Sequence, residues 1–300
     1  MAAQPIADLT DPAIVEMVSA MSNDATFGPS WIEDDTPAVS VRQERLDTAT
    51  VTIYTPRERT QGALLWLHGG GLFGGAPKWD APRCHRIATA TGAVVVSVGY
   101  RLAPQNPFPA ALDDARCVWT WMLSHAVDLG ISEQAIAVGG QSAGGGLAAA
   151  LVQRLVDEGE SVAAQWLWVP MLDDRTAENT ELDDIDHFVW NNRFNRMAWS
   201  SYLGTGGSIT SITDYAVPAR RTDLSGLPPA FIMTTDIDLF SAEDMDYARR
   251  LEAAGVEVTL DIISGAPHGF DDFASNAEPV RALEARAAIW LIDRLSSSSS

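Results

Sequence analysis

Short apolar runs and longer amphipathic stretches alternate along this chain from about residue 48 onward. The run at residues 94–96 is Val-Val-Val, without alternating polar positions, as expected of a strand covered on both faces. We predict strands at residues 50–54, 63–67, 93–98, 135–138, 164–168, 230–234 and 256–263, and helices at residues 82–90, 110–126, 147–157, 243–254 and 279–295. This order predicts an α/β fold with a mostly parallel central sheet flanked by helices.

Two segments interrupt this alternation. At the N-terminus, Asp11 can cap a helix that begins with Pro12. The second segment runs from about residue 173 to 218, and its aromatic residues include Trp190, Phe194, Trp199 and Tyr202. We expect both segments to fold together as a helical cap over one end of the sheet, with two ordinary surface insertions as the alternative.

The predicted organisation has five parts. Residues 1–45 form the N-terminal part of the cap, 46–172 the first part of the core, 173–217 the cap insertion, and 218–295 the second part of the core. Residues 296–300 are all serine and carry no pattern, so we predict a disordered tail there.

Charge and composition exclude several classes of protein. The formal net charge of the 300 residues is −20, which opposes binding to nucleic acid because that affinity comes largely from Lys and Arg. No apolar run approaches the roughly 18 residues that cross a bilayer, and the N-terminus lacks a basic segment followed by an apolar one. We therefore expect a cytoplasmic protein that contacts neither membrane nor nucleic acid.

The two cysteines, Cys84 and Cys117, both fall in predicted helices. In an intracellular chain of this size, such residues usually serve as small buried hydrophobic side chains. We expect no disulfide.

Residues 140–144 read G-Q-S-A-G between a predicted strand and a predicted helix. In that setting G-x-S-x-G is a nucleophile elbow, in which glycines permit a turn tight enough to expose the serine hydroxyl. Ser142 is therefore the candidate nucleophile.

A serine hydroxyl needs an adjacent base, and only His187 and His268 follow Ser142 in the chain. His268 lies in a loop after the last predicted strand, where it can overhang the serine. His187 lies near Asp183, Asp184 and Asp186, which suggests a metal cluster, but a solvated acidic face is the expectation there. We select His268 as the base.

The base needs an acid to orient it, and two candidates follow the strand at residues 230–234. Asp236 and Asp238 both fall at the carboxyl end of that strand, where catalytic groups collect in open α/β sheets. The other aspartate is expected to stabilise a turn or a helix start. Pattern alone does not choose between them.

A second glycine-rich element, His-Gly-Gly-Gly at residues 68–71, follows the strand at residues 63–67. Its backbone N–H groups can face a developing oxyanion without a side chain in the way. We predict an oxyanion hole formed by the amides of Gly70, Gly71 and Ala143, with His68 holding the loop in place.

With these motifs, the chain closely resembles the bacterial hormone-sensitive-lipase-like esterases of the α/β-hydrolase superfamily over about residues 45–295. The match includes the sequences YRLAP at residues 100–104, PFPAA at 107–111 and LPPA at 227–230. The family acid heads a segment of the form D-x-L-x-D-E that is followed by Tyr-Ala. Asp238 fits that lead position, so the resemblance selects Asp238 over Asp236.

Two positions depart from the family pattern. Gln141 stands where many members carry Asp or Glu, so we expect the reaction to survive with a changed pH response or pairing near the elbow. Ala242 stands where Asp is common, which leaves any helix-capping role to Glu243. The resemblance also implies that residues 173–175, Asp-Asp-Arg, anchor the cap insertion to the core.

The resemblance implies a serine carboxylesterase for neutral esters of short or medium acyl chains, with Ser142, His268 and Asp238 as its triad. It implies no metal or organic cofactor and a small-molecule ester as the binding partner. Members of the family often pair through an edge strand or the final helix, so the resemblance allows a homodimer, although the sequence itself does not fix the oligomeric state. There are two alternatives: an amidase or peptidase with the same triad, and a non-catalytic small-molecule-binding protein of the same fold.

Overall fold

The computed structural model describes residues 38–204 and 214–297. Its strands are β1 (Val39–Arg45), β2 (Thr50–Pro56), β3 (Ala63–Leu67), β4 (Val94–Gly99), β5 (Ile136–Gln141), β6 (Gln165–Trp168), β7 (Ala230–Thr235) and β8 (Val258–Ile263). Its α-helices are α1 (Ala81–Thr91), α2 (Ala110–Ser124), α3 (Ala126–Leu129), α4 (Ala143–Asp157), α5 (Arg175–Glu178), α6 (Asn192–Leu203), α7 (Ser241–Ala253), α8 (Phe270–Phe273) and α9 (Glu278–Ser297). Short 3₁₀ helices lie at Thr180–Asp184 and Pro218–Arg220.

The described strands form one sheet in the order β1-β2-β4-β3-β5-β6-β7-β8. The pairs β1–β2 and β2–β4 are antiparallel, and all other neighbours are parallel. The parallel strands therefore end along one edge of the sheet, where an open α/β sheet places its ligands. The predicted fold class is confirmed.

Strand β3 shows how the core is arranged, because all five of its residues are buried. Leu65 and Leu67 pack into a cluster with residues of α2, α4 and α7. Leu64 and Trp66 face the other way and pack with residues of α1 and α9. Helices thus cover both faces of the sheet, which explains the unbroken apolar runs of its central strands.

The region assigned to the N-terminal part of the cap contains a strand of the core. Residues 39–45 form β1 and pair with β2 along its length, so the boundary at residue 45 is wrong. The sequence VSVRQER hides this strand because an edge strand keeps most of its side chains in solvent. The predicted helix at Asp11 and Pro12 lies outside the described residues.

The C-terminal helix is longer than predicted, since α9 extends to Ser297. The Ser296 hydroxyl donates a hydrogen bond to the carbonyl of Ile292, one helical turn earlier. The first residues of the predicted tail are therefore helical, and residues 298–300 lie outside the described part. None of the described helices is long and apolar enough to cross a membrane.

Helix α4 begins at Ala143, four residues earlier than predicted. The sequence hides this start because Gly144, Gly145 and Gly146 are weak helix formers. A Cβ atom at Gly146 would collide with the carbonyl oxygen of Met171. Close packing therefore requires glycine at this position within the helix.

The cap insertion is tied to the core by a buried carboxylate, as the resemblance implies. Asp174 is 3% exposed and accepts hydrogen bonds from Nε and Nη2 of Arg220, at 2.7 and 3.0 Å. Arg175 instead binds its neighbour Asp173. Asp174 is thus the member of this triplet that links the start of the insertion to the chain returning from it.

Glu243 does not cap helix α7, so that expectation is wrong. Its Oε1 accepts hydrogen bonds from the backbone N–H groups of Leu172 and Asp173, at 2.7 and 3.1 Å, and its Oε2 pairs with the Thr176 hydroxyl. Burial raises the pKa of Glu243 to about 8, although these donors lower it. The first turn of α7 faces inward here, so Glu243 binds the start of the cap insertion.

Both cysteines are free thiols, and they occupy different environments. Cys84 on α1 is buried, as expected. Cys117 is exposed because it lies on the solvent-facing side of α2, so the expectation of burial is wrong for it.

Candidate active site

Ser142 stands at a tight turn between β5 and α4. Its backbone has φ 55° and ψ −123°, a combination that non-glycine residues rarely adopt. The Ser142 N–H donates to the carbonyl of Trp168 at 2.8 Å, and its own carbonyl accepts from Met171 N–H at 2.9 Å. A Cβ at Gly144 would collide with the carbonyl of Leu67. The turn has the geometry of a nucleophile elbow held by its neighbours.

Three selected side chains meet at the carboxyl edge of the sheet. The hydroxyl of Ser142 lies 2.9 Å from Nε2 of His268, and Nδ1 of His268 lies 2.6 Å from Oδ2 of Asp238. All three residues are buried, with 5–6% of their surface exposed. Because an ionised carboxylate only accepts hydrogen bonds, Nδ1 carries the proton and Nε2 is free to accept from the serine.

The two aspartates after β7 have different surroundings. The carboxylate of Asp238 is buried and also accepts a hydrogen bond from the backbone N–H of Phe240, at 2.9 Å. Asp236 is exposed and binds the Ser264 hydroxyl and the Gly265 N–H, both at 2.7 Å. Asp236 therefore stabilises the turn after β8, whereas Asp238 contacts the histidine.

The glycine loop after β3 lies against the elbow. A Cβ built on Gly69 would lie 3.5 Å from Cβ of Ser142. Gly70 and Gly71 have φ of 117° and 64°, which favour glycine. Among the described residues, no backbone carbonyl accepts a hydrogen bond from the N–H of Gly70, Gly71 or Ala143. Their role as oxyanion donors stays a prediction.

Comparison with known proteins assigns the chain to a family. A family profile described as the α/β-hydrolase fold matches residues 64–272. Carboxylesterase NlhH from Mycobacterium tuberculosis is 34% identical over 223 residues, which cover 70% of this chain and 67% of that protein. Ethyl acetate hydrolase from Pseudomonas putida is 35% identical over 239 residues, with coverages of 74% and 71%. This chain belongs to the α/β-hydrolase family.

Solved structures agree with this assignment. The structure of a bacterial heroin esterase has a TM-score of 0.86 and 34% sequence identity to this α/β-hydrolase, and the match covers 97% of this chain and 94% of that one. The resemblance to the hormone-sensitive-lipase-like esterases is confirmed. Within the α/β-hydrolases, the protein is a carboxylic ester hydrolase.

Opposing effects act on the pKa of His268 in this α/β-hydrolase. Burial lowers the pKa, while the carboxylates of Asp238, Asp271 and Asp272 raise it, and the net pKa lies above the ordinary value of a histidine. The carboxylates thus favour a proton on the imidazole, which is the state a general base reaches after it deprotonates a serine.

His68 has the surroundings of a structural residue, as expected. It is 1% exposed, stacks on Tyr100 with ring centroids 4.2 Å apart, and pairs through Nδ1 with the Gly69 carbonyl at 2.8 Å. The Tyr100 hydroxyl donates to the His68 carbonyl at 2.7 Å. Burial lowers the pKa of His68 to about 4, so the ring is neutral at pH 7 and carries no net charge into the site.

Trp190 of the cap insertion reaches both halves of the site. Its ring centroid lies 6.4 Å from that of His268 and 6.3 Å from that of Phe73. A Cβ at Gly71 would lie 2.5 Å from the Trp190 ring, so the ring rests on the glycine loop. The sequence placed this residue in the cap, but no pattern showed which of the cap aromatics would contact the loop.

The acidic segment around His187 gives no metal centre. Asp183 accepts hydrogen bonds from Arg196 at 2.9 and 3.0 Å, and Asp184 and Asp186 are exposed. Within residues 38–204 and 214–297, no three His, Cys, Asp or Glu side chains are grouped so that they could hold a metal ion.

Proposed function

We propose that this protein is a serine carboxylesterase that hydrolyses neutral esters of short to medium acyl chains through an acyl-enzyme intermediate. The observation that carries the proposal is the continuous hydrogen-bonded chain from Asp238 through His268 to Ser142 at a strained turn. Such a chain activates a hydroxyl that is otherwise a poor nucleophile at neutral pH.

In the first half of the reaction, Oγ of Ser142 attacks the ester carbonyl and its proton passes to Nε2 of His268. The N–H groups of Gly70, Gly71 and Ala143 stabilise the negative charge that develops on the carbonyl oxygen. The tetrahedral intermediate then collapses, and His268 donates the proton to the departing alcohol. The acyl group remains on Ser142.

In the second half, water replaces the alcohol. His268 takes a proton from the water as it attacks the acyl carbonyl, and the same N–H groups stabilise the second oxyanion. Collapse releases the carboxylic acid and returns the proton to Ser142. Asp238 stays ionised throughout, because its part is to hold the Nδ1–H tautomer and stabilise the imidazolium.

The preference for short to medium acyl chains is supported by the position of Trp190. Its ring rests on the backbone of Gly71 and stacks with Phe73 and Phe194, at centroid distances of 6.3 and 5.6 Å. These aromatic side chains narrow the space beside the predicted oxyanion donors. The relative from Pseudomonas putida is named for a small neutral ester, ethyl acetate, which agrees with such a site.

The test uses purified protein and p-nitrophenyl esters of increasing acyl length, compared with matched anilides. We expect ester hydrolysis with a maximum at short or medium chains, and loss of about 10⁶-fold in kcat for Ser142→Ala. Ser225→Ala, at an exposed turn, is the matched control and should keep full activity.

Labelling with a serine-reactive phosphonate separates the alternatives. Covalent labelling at Ser142 together with ester turnover supports the proposal. Faster hydrolysis of anilides than of esters would instead identify an amidase or peptidase. Binding of a small ester without turnover or labelling would identify a non-catalytic binding protein.

A further inference from the structure

The short helix α8, which begins two residues after His268, takes part in an ionic cluster that is buried at Arg83 and Asp271. Asp271 and Asp272 of this helix both pair with Nη2 of Arg83, at 2.7 and 2.6 Å. The side chains of Arg83 and Asp271 are 4% and 0% exposed, and that of Asp272 is 49% exposed. Because Arg83 belongs to α1, this cluster joins α8 to the layer of helices behind the sheet.

Two further hydrogen bonds connect α8 to the ends of central strands. The carboxamide of Gln141 donates from Nε2 to Oδ2 of Asp272 at 2.8 Å. The indole N–H of Trp168 donates to Oδ2 of Asp271 at 2.7 Å. Gln141 is 5% exposed and immediately precedes Ser142. Its hydrogen bond to Asp272 therefore joins the nucleophile elbow to the segment that carries His268.

The ionisation state of Asp272 explains why a glutamine, and not a carboxylate, stands at position 141. Burial raises the pKa of Asp272, but Arg83 and the Gln141 carboxamide outweigh it, so the pKa lies below its ordinary value and Asp272 is ionised at neutral pH. An ionised carboxylate accepts hydrogen bonds only. A donor is therefore needed at position 141, and a second carboxylate there would face Asp272 with the same charge.

We propose that Asp272 is a positioning residue for His268, held by Arg83 and bound by Gln141, and that this pairing is what requires a carboxamide beside the nucleophile. The link fixes the distance between Ser142 and the histidine from outside the triad. This inference rests on the proposed esterase function, since its main readout is ester hydrolysis.

Charge distinguishes this role from a merely structural one. The charged groups around His268 are Asp238 from the loop after β7, Asp271 and Asp272 of α8, and Arg83 of α1, which pairs with the last two. Arg86 of α1 also acts on Asp272 and is itself bound to Glu284 of α9. The aromatic neighbours of the histidine, Trp190 and Phe240, are uncharged. Loss of the Asp272 charge should therefore lower the pKa of His268.

The experiment compares kcat/KM as a function of pH for wild type, Q141E, D272N and the double variant Q141E/D272N. Q141E should lose about 100-fold at pH 8, because two carboxylates repel each other and displace the histidine. In the double variant the donor and acceptor are exchanged, so kcat/KM should recover to within about 10-fold of wild type. D223N, at an exposed turn, controls for the loss of one negative charge in D272N.

The acid limb of the profile supplies the second readout. D272N should move it to lower pH by about half a unit, because neutral imidazole persists further into acid. The double variant, which keeps one carboxylate in the link, should move it back. Circular dichroism and thermal unfolding establish that each variant is folded before its profile is interpreted.

Three results would overturn the inference for folded variants: full activity of Q141E at pH 8, no recovery in the double variant, or an unmoved acid limb in D272N. Each leaves the proposed function intact if Ser142→Ala is inactive. Conversely, ester turnover by Ser142→Ala would refute the proposed function itself, whatever the three link variants do.

Discussion

The triad residues at the carboxyl edge of the sheet and the cap insertion above them are held in place in different ways. We call these two regions the floor and the roof of the site. On the floor, Ser142 follows the end of β5, Asp238 follows β7 and His268 follows β8, so buried parallel strands set their positions. The roof, residues 173–204 of the cap insertion, is attached mainly by side chains, through the pair of Asp174 with Arg220 and the stacking around Trp190. A backbone hydrogen bond from Phe108 N–H to the Tyr202 carbonyl, at 2.7 Å, adds to these contacts.

Because of this difference, we expect floor residues to determine the chemical steps and roof residues to determine which substrates bind. Backbone atoms packed against backbone atoms cannot adjust, so changes on the floor should abolish chemistry. Side-chain contacts can be exchanged one at a time, so changes in the roof should alter what binds, or how firmly the cap is attached, and leave the chemical steps in place.

The largest expected effect lies on the floor. Asp238→Asn should lower kcat by about 10⁴-fold, because an amide in place of the carboxylate favours the wrong tautomer of His268. Asp236→Asn is the matched control two residues away, and it should stay close to wild type because Asp236 binds only the turn at Ser264 and Gly265. Steady-state hydrolysis of a p-nitrophenyl ester measures both. A severe loss in the Asp236 variant with a mild one in the Asp238 variant would reverse the acid assignment.

An intermediate effect is expected from the aromatic contact between roof and floor. Trp190→Ala should raise the kcat/KM ratio of long to short acyl esters by about 10-fold, since the ring that rests on Gly71 is removed. Rates on a series of p-nitrophenyl esters of increasing chain length measure the ratio. Phe188→Ala is the matched control, because that aromatic side chain of the same segment is 71% exposed. An unchanged chain-length profile would show that Trp190 does not limit the site.

The smallest effect concerns the attachment of the roof, and it depends on pH. The folded protein keeps the proton of Glu243 up to a pKa of about 8, whereas the unfolded chain releases it near the ordinary value. Because the folded state binds more protons between those values, the contribution of Glu243 to stability is present in acid and is lost as pH rises toward 8. In Glu243→Gln the side chain at position 243 is neutral at every pH. The melting temperature of this variant, relative to that of wild type, should therefore rise from pH 5 to pH 9.

Glu252→Gln serves as the control for this measurement, since Glu252 is exposed on the same helix. Its melting temperature should follow wild type across the pH range. A constant difference between Glu243→Gln and wild type at all pH values would contradict the assignment of a proton to Glu243 near neutrality.

Sequence reasoning was most successful where one short segment determines the geometry. The elbow at Ser142 and the glycine loop at residues 68–71 each combine a strand, a turn and glycines within a few positions, so pattern alone predicts their conformation. Asp236 and Asp238 could not be separated in this way, because both end the same strand. Their difference is in burial, which depends on the fold around them.

The features that sequence reasoning missed depend on contacts between distant segments. Arg83 meets Asp271 and Asp272 from 188 and 189 positions away, and no local pattern relates them. Glu243 was expected to cap its own helix and instead binds residues about 70 positions earlier in the chain. β1 was missed because its mostly polar sequence is ordinary for an edge strand but resembles a loop.

The crowded first turn of α4 has a consequence for how this protein can diversify. Gly144 and Gly146 touch the carbonyls of Leu67 and Met171 so closely that no larger residue fits at either position. Substitution at these two helix positions is therefore closed, whereas the side chains of the segment that carries Trp190 meet no such backbone limit at the nucleophile. Laboratory libraries aimed at new substrates should concentrate their diversity in that segment.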